Sequence, residues 1–323
     1  MTARLLGVGL ALLLLAATRA ASAYCPAMTC DPSDAKQDCK LDAQTGCVLS
    51  GQPLFWGSDC VTFSIQKDAA PKAGIAYADV KASLERAFSA WTTADCDGAP
   101  PSLSFTLSEP LTCDASEYSQ EHHNANIVMF REGEWPYEGG QDALGLTRVR
   151  FDIENNIGEL YDTDIEINAV TEPLSVGDPQ ANQVDLDSLI THEIGHALGL
   201  AHSLDVQATM VAGYERGSIG LRSLGDDDVA GVCEIYPPGR TATSTSCEPR
   251  HGFSPLCAAD QPASDTPAAA GAAGDAPSES SSCGIAASGG KDSGRGAFPV
   301  IAAMLLAGVA LARRRRSSQN ALG

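Results

Sequence analysis

Positive charge is scarce in this chain. Its 323 residues include 21 Lys and Arg against 41 Asp and Glu, a formal net charge of −20, and four of the basic residues stand together at Arg313–Arg316. So acidic an exterior keeps an exported protein soluble and excludes a phosphate backbone as partner, though it carries no information about fold. Histidine is scarcer, six in all, so each position counts. Long apolar runs are missing too. Leu5–Ala17 and Ala297–Ala312 both fall short of the ~20 residues of a comfortable membrane span.

Three of the six histidines fall in one stretch, His192-Glu193-Ile194-Gly195-His196-Ala197-Leu198-Gly199-Leu200-Ala201-His202. On a helix His192 and His196 lie one above the other on one face, able to aim two imidazole nitrogens at one cation. Gly199 is suited to end the helix with positive φ and swing His202 round as a third ligand. Three ligands leave a fourth position for water. Glu193, next to a ligand but directed past the metal, is placed to take a proton from that water, which points to zinc-assisted hydrolysis of a peptide.

The Gly and third His, followed by Met210, match the HExxHxxGxxH and Met-turn set, so the chain resembles the metzincins. Within them, Ser203 directly after the third His makes Ser203–Met210 similar to the matrixin pattern; Leu224–Val232 with Ile235-Tyr236 looks like the last helix of a matrixin catalytic domain. One departure is Ala212, where matrixins usually carry Pro two residues after the Met; Tyr214 at the next wall position is present. The resemblance covers about residues 54–238. It implies an α+β fold with a mixed, twisted sheet packed against an active-site helix and a C-terminal helix. It implies one catalytic Zn²⁺, Met210 as the apolar floor beneath it, and protein or peptide substrates. It further implies that Leu144, Gly145 and Leu146 belong to an exposed edge strand laid alongside the substrate, the strand-addition mode of peptide recognition. Ser188, one turn before His192, and Tyr214 would shape the pocket for the residue after the cleaved bond. The structural zinc of many matrixins is not expected, because His122 and His123 read as loop residues and His251 lies beyond the domain.

Around that domain the chain reads as an exported protein. Arg4, the apolar Leu5–Ala17 run and Ala21-Ser22-Ala23 make residues 1–23 a secretory signal peptide cut before Tyr24. Ten cysteines precede a lone Cys283 and suit up to five disulfides, with the pairing open. Residues 24–53 are expected to be a disulfide-stapled segment. They are too short for a matrixin pro-segment and lack a Pro-Arg-Cys-Gly pattern.

In the domain, Cys60–Ile65, Ser102–Leu107 and Ala125–Phe130 read as strands, and Val80, Leu84, Ala87, Phe88 and Trp91 give an amphipathic helix from about Tyr77 to Ala94. In Gly158–Asn168 strict alternation places Asp162, Asp164 and Glu166 on one face and Ile165 and Ile167 toward the core. That acidic row is either a candidate Ca²⁺ site or a solvated face. Asp187 is the expected N-cap of the zinc helix.

After Pro237-Pro238, residues 239–296 are rich in small and polar side chains and read as a flexible linker. Residues 297–312 form a short hydrophobic segment and 313–323 a basic tail, a membrane signal with its Arg end in the cytoplasm. With Cys283-Gly284 ahead, the tail resembles the myxobacterial C-terminal sorting signals called MYXO-CTERM, which implies surface sorting. The reading is a secreted or surface-tethered zinc endopeptidase, expected to be a monomer. The alternative is a surface adhesin with a vestigial or structural zinc site, which would have no use for Glu193.

Overall fold

The computed structural model describes residues 23–137, 143–152, 155 and 157–255, together with the backbone of two strands at 280–283 and 286–287. These belong to the first of two compact units, Met1–Ser288; the second, Gly289–Gly323, lies outside the described residues. The expected signal peptide up to residue 22, the hydrophobic segment and the basic tail are therefore outside them.

Strands β1 (Phe55–Trp56), β2 (Cys60–Ile65), β3 (Ser104–Leu107), β4 (Asn126–Arg131), β5 (Gly145–Phe151), β6 (Glu159–Asn168) and β10 (Ser280–Cys283) form one sheet. Its order is β10-β5-β6-β4-β2-β3, with β1 added to β6. Strands β3, β2, β4 and β6 run parallel, and β5 runs antiparallel to β6. Short pairs complete the set: β7 (Leu174–Ser175) with β8 (Val184–Asp185), and β9 (Gly213–Tyr214) with β11 (Ala286–Ala287). Helices α1 (Tyr77–Thr92), α2 (Leu186–Ala197) and α3 (Asp226–Ile235) make this an α+β fold with a mixed sheet.

Helix α1 buries Val80, Ser83, Leu84, Ala87, Phe88 and Trp91 along one stripe, and Asp79 caps its start by accepting from the Ala76 amide. Trp91 ties the stripe to α2, its indole Nε1 donating to the Thr191 carbonyl at 2.8 Å. Every residue of α2 is buried. A helix with no solvent face depends on tertiary partners, and its N-terminus differs from expectation. The cap is Asp185, whose side chain accepts from the Ser188 amide at 2.9 Å. Helical geometry begins at the buried Leu186, leaving Asp187 already inside the first turn. Asp187 instead receives Ser83 at 2.5 Å and a two-pronged contact from Arg86 at 2.7 Å.

Both flanks pack on the domain. Pro26 bridges to Leu200 and the Ala27 amide donates to Gly199, with Cys25–Cys47 and Cys30–Cys39 stapling the N-terminal segment. Cys96–Cys233 links the end of α1 to α3, and Cys113 is also disulfide-bonded. Residues 239–255 are not the flexible linker that composition suggests. Cys247 is bonded to Cys60, Arg240 donates to the Trp56 and Ser58 carbonyls, and the Asn124 amide donates to Gly252. In a chain-entropy estimate, closing the Cys60–Cys247 loop stabilises the fold by about 5 kcal/mol.

Asp185 is fully buried and also takes Arg222 through Nε at 2.8 Å and Nη2 at 2.7 Å. Asp185→Ala removes the cap and the two-pronged contact of Arg222, which keeps Asp178, Asp187 and the Gly177 carbonyl, so urea unfolding should show a loss of about 2 kcal/mol. Asp185→Asn, which still caps, should recover about 1 kcal/mol of it.

Candidate metal and peptide site

The turn after α2 is built by Gly199. Its φ is +93°, and a Cβ there would lie 2.3 Å from the Leu54 carbonyl oxygen, so no other residue fits without moving β1's approach. The chain then bends, and His202 comes back to face His192 and His196. The nitrogens of the three rings lie within 4.8 Å of one another.

Their orientation is fixed from behind. His192 Nδ1 donates to the Thr209 carbonyl at 2.6 Å, and His196 Nδ1 donates to the Leu200 carbonyl at 2.8 Å. With the protons held there, the lone pairs sit on Nε2, and neither Nε2 has a hydrogen-bond partner although both are buried. A buried imidazole nitrogen left bare in this way costs free energy unless something accepts its lone pair. Burial also keeps the rings neutral: it lowers the His192 pKa to about 3, with His202 adding to the effect, moves His196 well down, and lowers His202 to about 4. Three neutral imidazoles converging from a helix and its following loop fit a zinc ion with an open fourth position.

Glu193 is fully buried beside them. Thr147 on β5 donates its hydroxyl to Glu193 Oε2 at 2.6 Å. A Cβ at Gly145 would come within 2.6 Å of Glu193 Oε1, so the strand has no side chain where the carboxylate lies. Gly195 shows the same relation from the other side: its missing Cβ would meet Met210 Sδ at 2.2 Å and Trp91 at 2.7 Å, placing the Met210 side chain against α2 between the two helix histidines.

The other expected site residues divide. Leu144 and Leu146 are buried, and both lie on or beside a strand that is not an exposed edge, because Ser280–Cys283 pairs with it at Val149 and Thr147. Ser188 is fully buried with an unpartnered Oγ. Tyr214 is buried, its hydroxyl donating to the Ser218 carbonyl at 2.6 Å and accepting the Asp185 amide at 2.9 Å. These two stand at the head of α2, a turn away from the histidines. Thr147, Asp185 and Asp228 escaped the sequence reading. A single Thr within a strand that also carries Arg148 and Arg150 has no distinguishing pattern, and Asp228 is one of three consecutive acids at the start of α3.

The acidic row of β6 is a correction as well. Asp162, Asp164 and Glu166 do share a face, but it is buried rather than solvated. Glu166 is ion-paired with Arg131 and Arg148. Asp164 accepts from Ser116 Oγ at 2.8 Å and from the Glu117 amide at 3.1 Å. Among the described residues only the three histidines form a group of three or more metal-capable side chains. His122 and His123 sit exposed in the loop before β4.

The mixed sheet, the histidine-bearing helix and the methionine packed beneath it define an α+β metzincin fold. Within that class the chain belongs to the matrixin family, whose model matches residues 55–237. It is similar to "Matrix metalloproteinase-16" of Rattus norvegicus, 29% identical over 200 residues, covering 59% of this chain and 28% of the relative. It is also similar to "Metalloendoproteinase 1-MMP" of Arabidopsis thaliana, 31% identical over 190 residues, covering 59% of this chain and 46% of the relative. The chain thus spans less than half the length of these relatives. Matrixins are zinc-dependent and commonly bind calcium.

Burial raises the Asp164 pKa to about 7 and moves Asp162 well up, the two carboxyls opposing each other's ionisation. The folded chain therefore holds protons between pH 3.8 and about 7 that the unfolded chain releases. The stability this contributes is complete below pH 3.8 and lost as pH rises through about 7. Asp164→Asn removes the share of the dependence that Asp164 itself carries. The Tm of wild type minus that of the variant should fall as pH rises from 5 to 8, by an amount equivalent to ~1–3 kcal/mol. A flat difference would show that the pair is already ionised in the fold.

Proposed function

We propose that the protein is a zinc endopeptidase acting on peptide bonds of extracellular proteins. The observation that carries this is the pair of buried, unpartnered Nε2 atoms of His192 and His196 converging with His202, next to a buried Glu193 that is not one of the three. An adhesin with a structural metal would need the histidines and gain nothing from that carboxylate.

His192, His196 and His202 would hold the ion, which when bound supplies Lewis acidity to the water and to the scissile carbonyl. Glu193 takes the proton of the attacking water at a carboxylate oxygen and later delivers it to the leaving amine. Thr147 holds one oxygen of that carboxylate through its hydroxyl and so orients the group. Met210 packs under the helix against Gly195. Leu144, Gly145 and Leu146 line the approach of an extended peptide, and Ser188 with Tyr214 bounds the pocket beyond the cleaved bond.

The segment boundaries follow the same reading: 1–23 as a leader removed on export, 24–53 as a stapled flank, 54–238 as the catalytic domain, and 297–323 as a bacterial surface-sorting tail behind the 239–296 connection. Expression of the full chain and of a chain lacking 297–323 tests the tail. The shortened enzyme should appear in the medium with kcat/KM unchanged; equal surface retention of both would refute the tethering.

Glu193→Ala should still bind about one zinc per chain by metal analysis while kcat falls ~10²–10⁴-fold. Loss of zinc in that variant, or near-normal turnover, would refute the assignment. His196→Ala should instead lose the metal.

A further inference from the structure

The side of β5 that would meet a peptide is taken by the chain itself. Ser280–Cys283 pairs antiparallel with β5, Ser280 opposite Val149 and Cys283 opposite Thr147. Three residues on, Ala286–Ala287 pairs parallel with β9, Ala286 opposite Gly213 and Ala287 opposite Tyr214. The two partner strands are tied to different parts of the site. Thr147 holds Glu193, and Tyr214 holds the first turn of the helix that bears His192 and His196. The two strands are separated by three steps of chain, a reach of about 10 Å when extended.

The composition suits such a role. Residues 280–290 read Ser-Ser-Ser-Cys-Gly-Ile-Ala-Ala-Ser-Gly-Gly, without one charged side chain in a protein of net charge −20. Small uncharged residues join a strand edge without burying charge. Beside the paired stretch lies a cavity of about 210 Å³ lined by Val48, Leu54, Thr147, Val149, His196 and Leu200. Its walls come from the N-terminal segment as well as from β5 and α2, so the groove is a built feature.

We propose that strands 280–283 and 286–287 are an intramolecular occupant of the peptide groove, bound by strand addition in place of a substrate. The peptidase reading above is assumed. Held in cis, the segment competes at a high effective concentration. A peptide binds only the fraction of molecules whose groove is open, so its apparent KM is raised by the reciprocal of that fraction while kcat is untouched.

The test uses the full chain carrying Ser281→Pro and Ser282→Pro, since proline removes the amide a ladder needs. With one peptide substrate, KM should fall tenfold or more at constant kcat. In parallel, amide hydrogen exchange of the 145–151 stretch is followed in Glu193→Ala chains with and without the two prolines, where no turnover intervenes. Exchange should be faster with them. Equal KM and equal exchange in the paired chains would overturn the proposal, as would a cut within 283–286 in the purified wild-type chain, which would make the segment a substrate. Faster exchange in a protein that cleaves no peptide would uphold the occupancy and reject the peptidase reading.

Discussion

Asp228 is 1% exposed, and its carboxylate accepts from the backbone amides of Thr209, Met210 and Gly225 at 2.5, 3.0 and 2.8 Å. Burial pushes its pKa up against the pull of those three donors. Through it α3 grips the Met-turn. The peptide plane so fixed presents the Thr209 carbonyl to His192 Nδ1, which determines the tautomer of that ring and hence which nitrogen is bare. The same turn sets Met210 against Gly195. Next to Asp228, Asp227 accepts from Ser203 Oγ at 2.6 Å and steadies the chain just past His202. Helix α3 therefore governs how the histidines converge through the turns on either side of them.

Two absent side chains complete the arrangement. Gly145 lets Glu193 rest against β5, and Gly195 lets Met210 and Trp91 close on α2 from below. A Cβ at the first position meets the far end of the Glu193 side chain, so the cost there falls on the placement of that carboxylate. At the second it meets a packed sulfur and an indole, so the cost falls on stability. Of the two, only Gly145 ties strand β5 to Glu193.

How much of this was legible follows from what each feature asks of a side chain. A three-histidine seat needs specific residues at fixed offsets, and the His192–His202 stretch declares them. The buried stripe of α1 is equally readable, because burial repeats with the helical period. The start of α2 was displaced by two residues because Asp185 and Asp187 are equivalent as isolated caps; the choice depends on Tyr214 and Arg222 reaching one and Arg86 reaching the other from afar. On β6 the alternation of acids with Ile was read correctly, and its meaning inverted. Arginines on β4 and β5 pair with Glu166 and the 116–117 segment covers Asp164, so a charged face was buried.

The occupied groove lay beyond any such reading for a general reason. Strand addition is made by backbone amides and carbonyls, which every residue but proline carries alike. A segment selected for pairing is therefore free to be any small, uncharged sequence, and 280–290 looks the same as a solvated spacer. What separates it from one is its register: antiparallel against Thr147 and Val149 on the strand that holds Glu193, parallel against Gly213 and Tyr214 on the strand that holds the head of α2. A random contact would satisfy one edge. Two edges of one groove, met three residues apart by a run with no charge to desolvate, are the requirement that a bound peptide also has to meet.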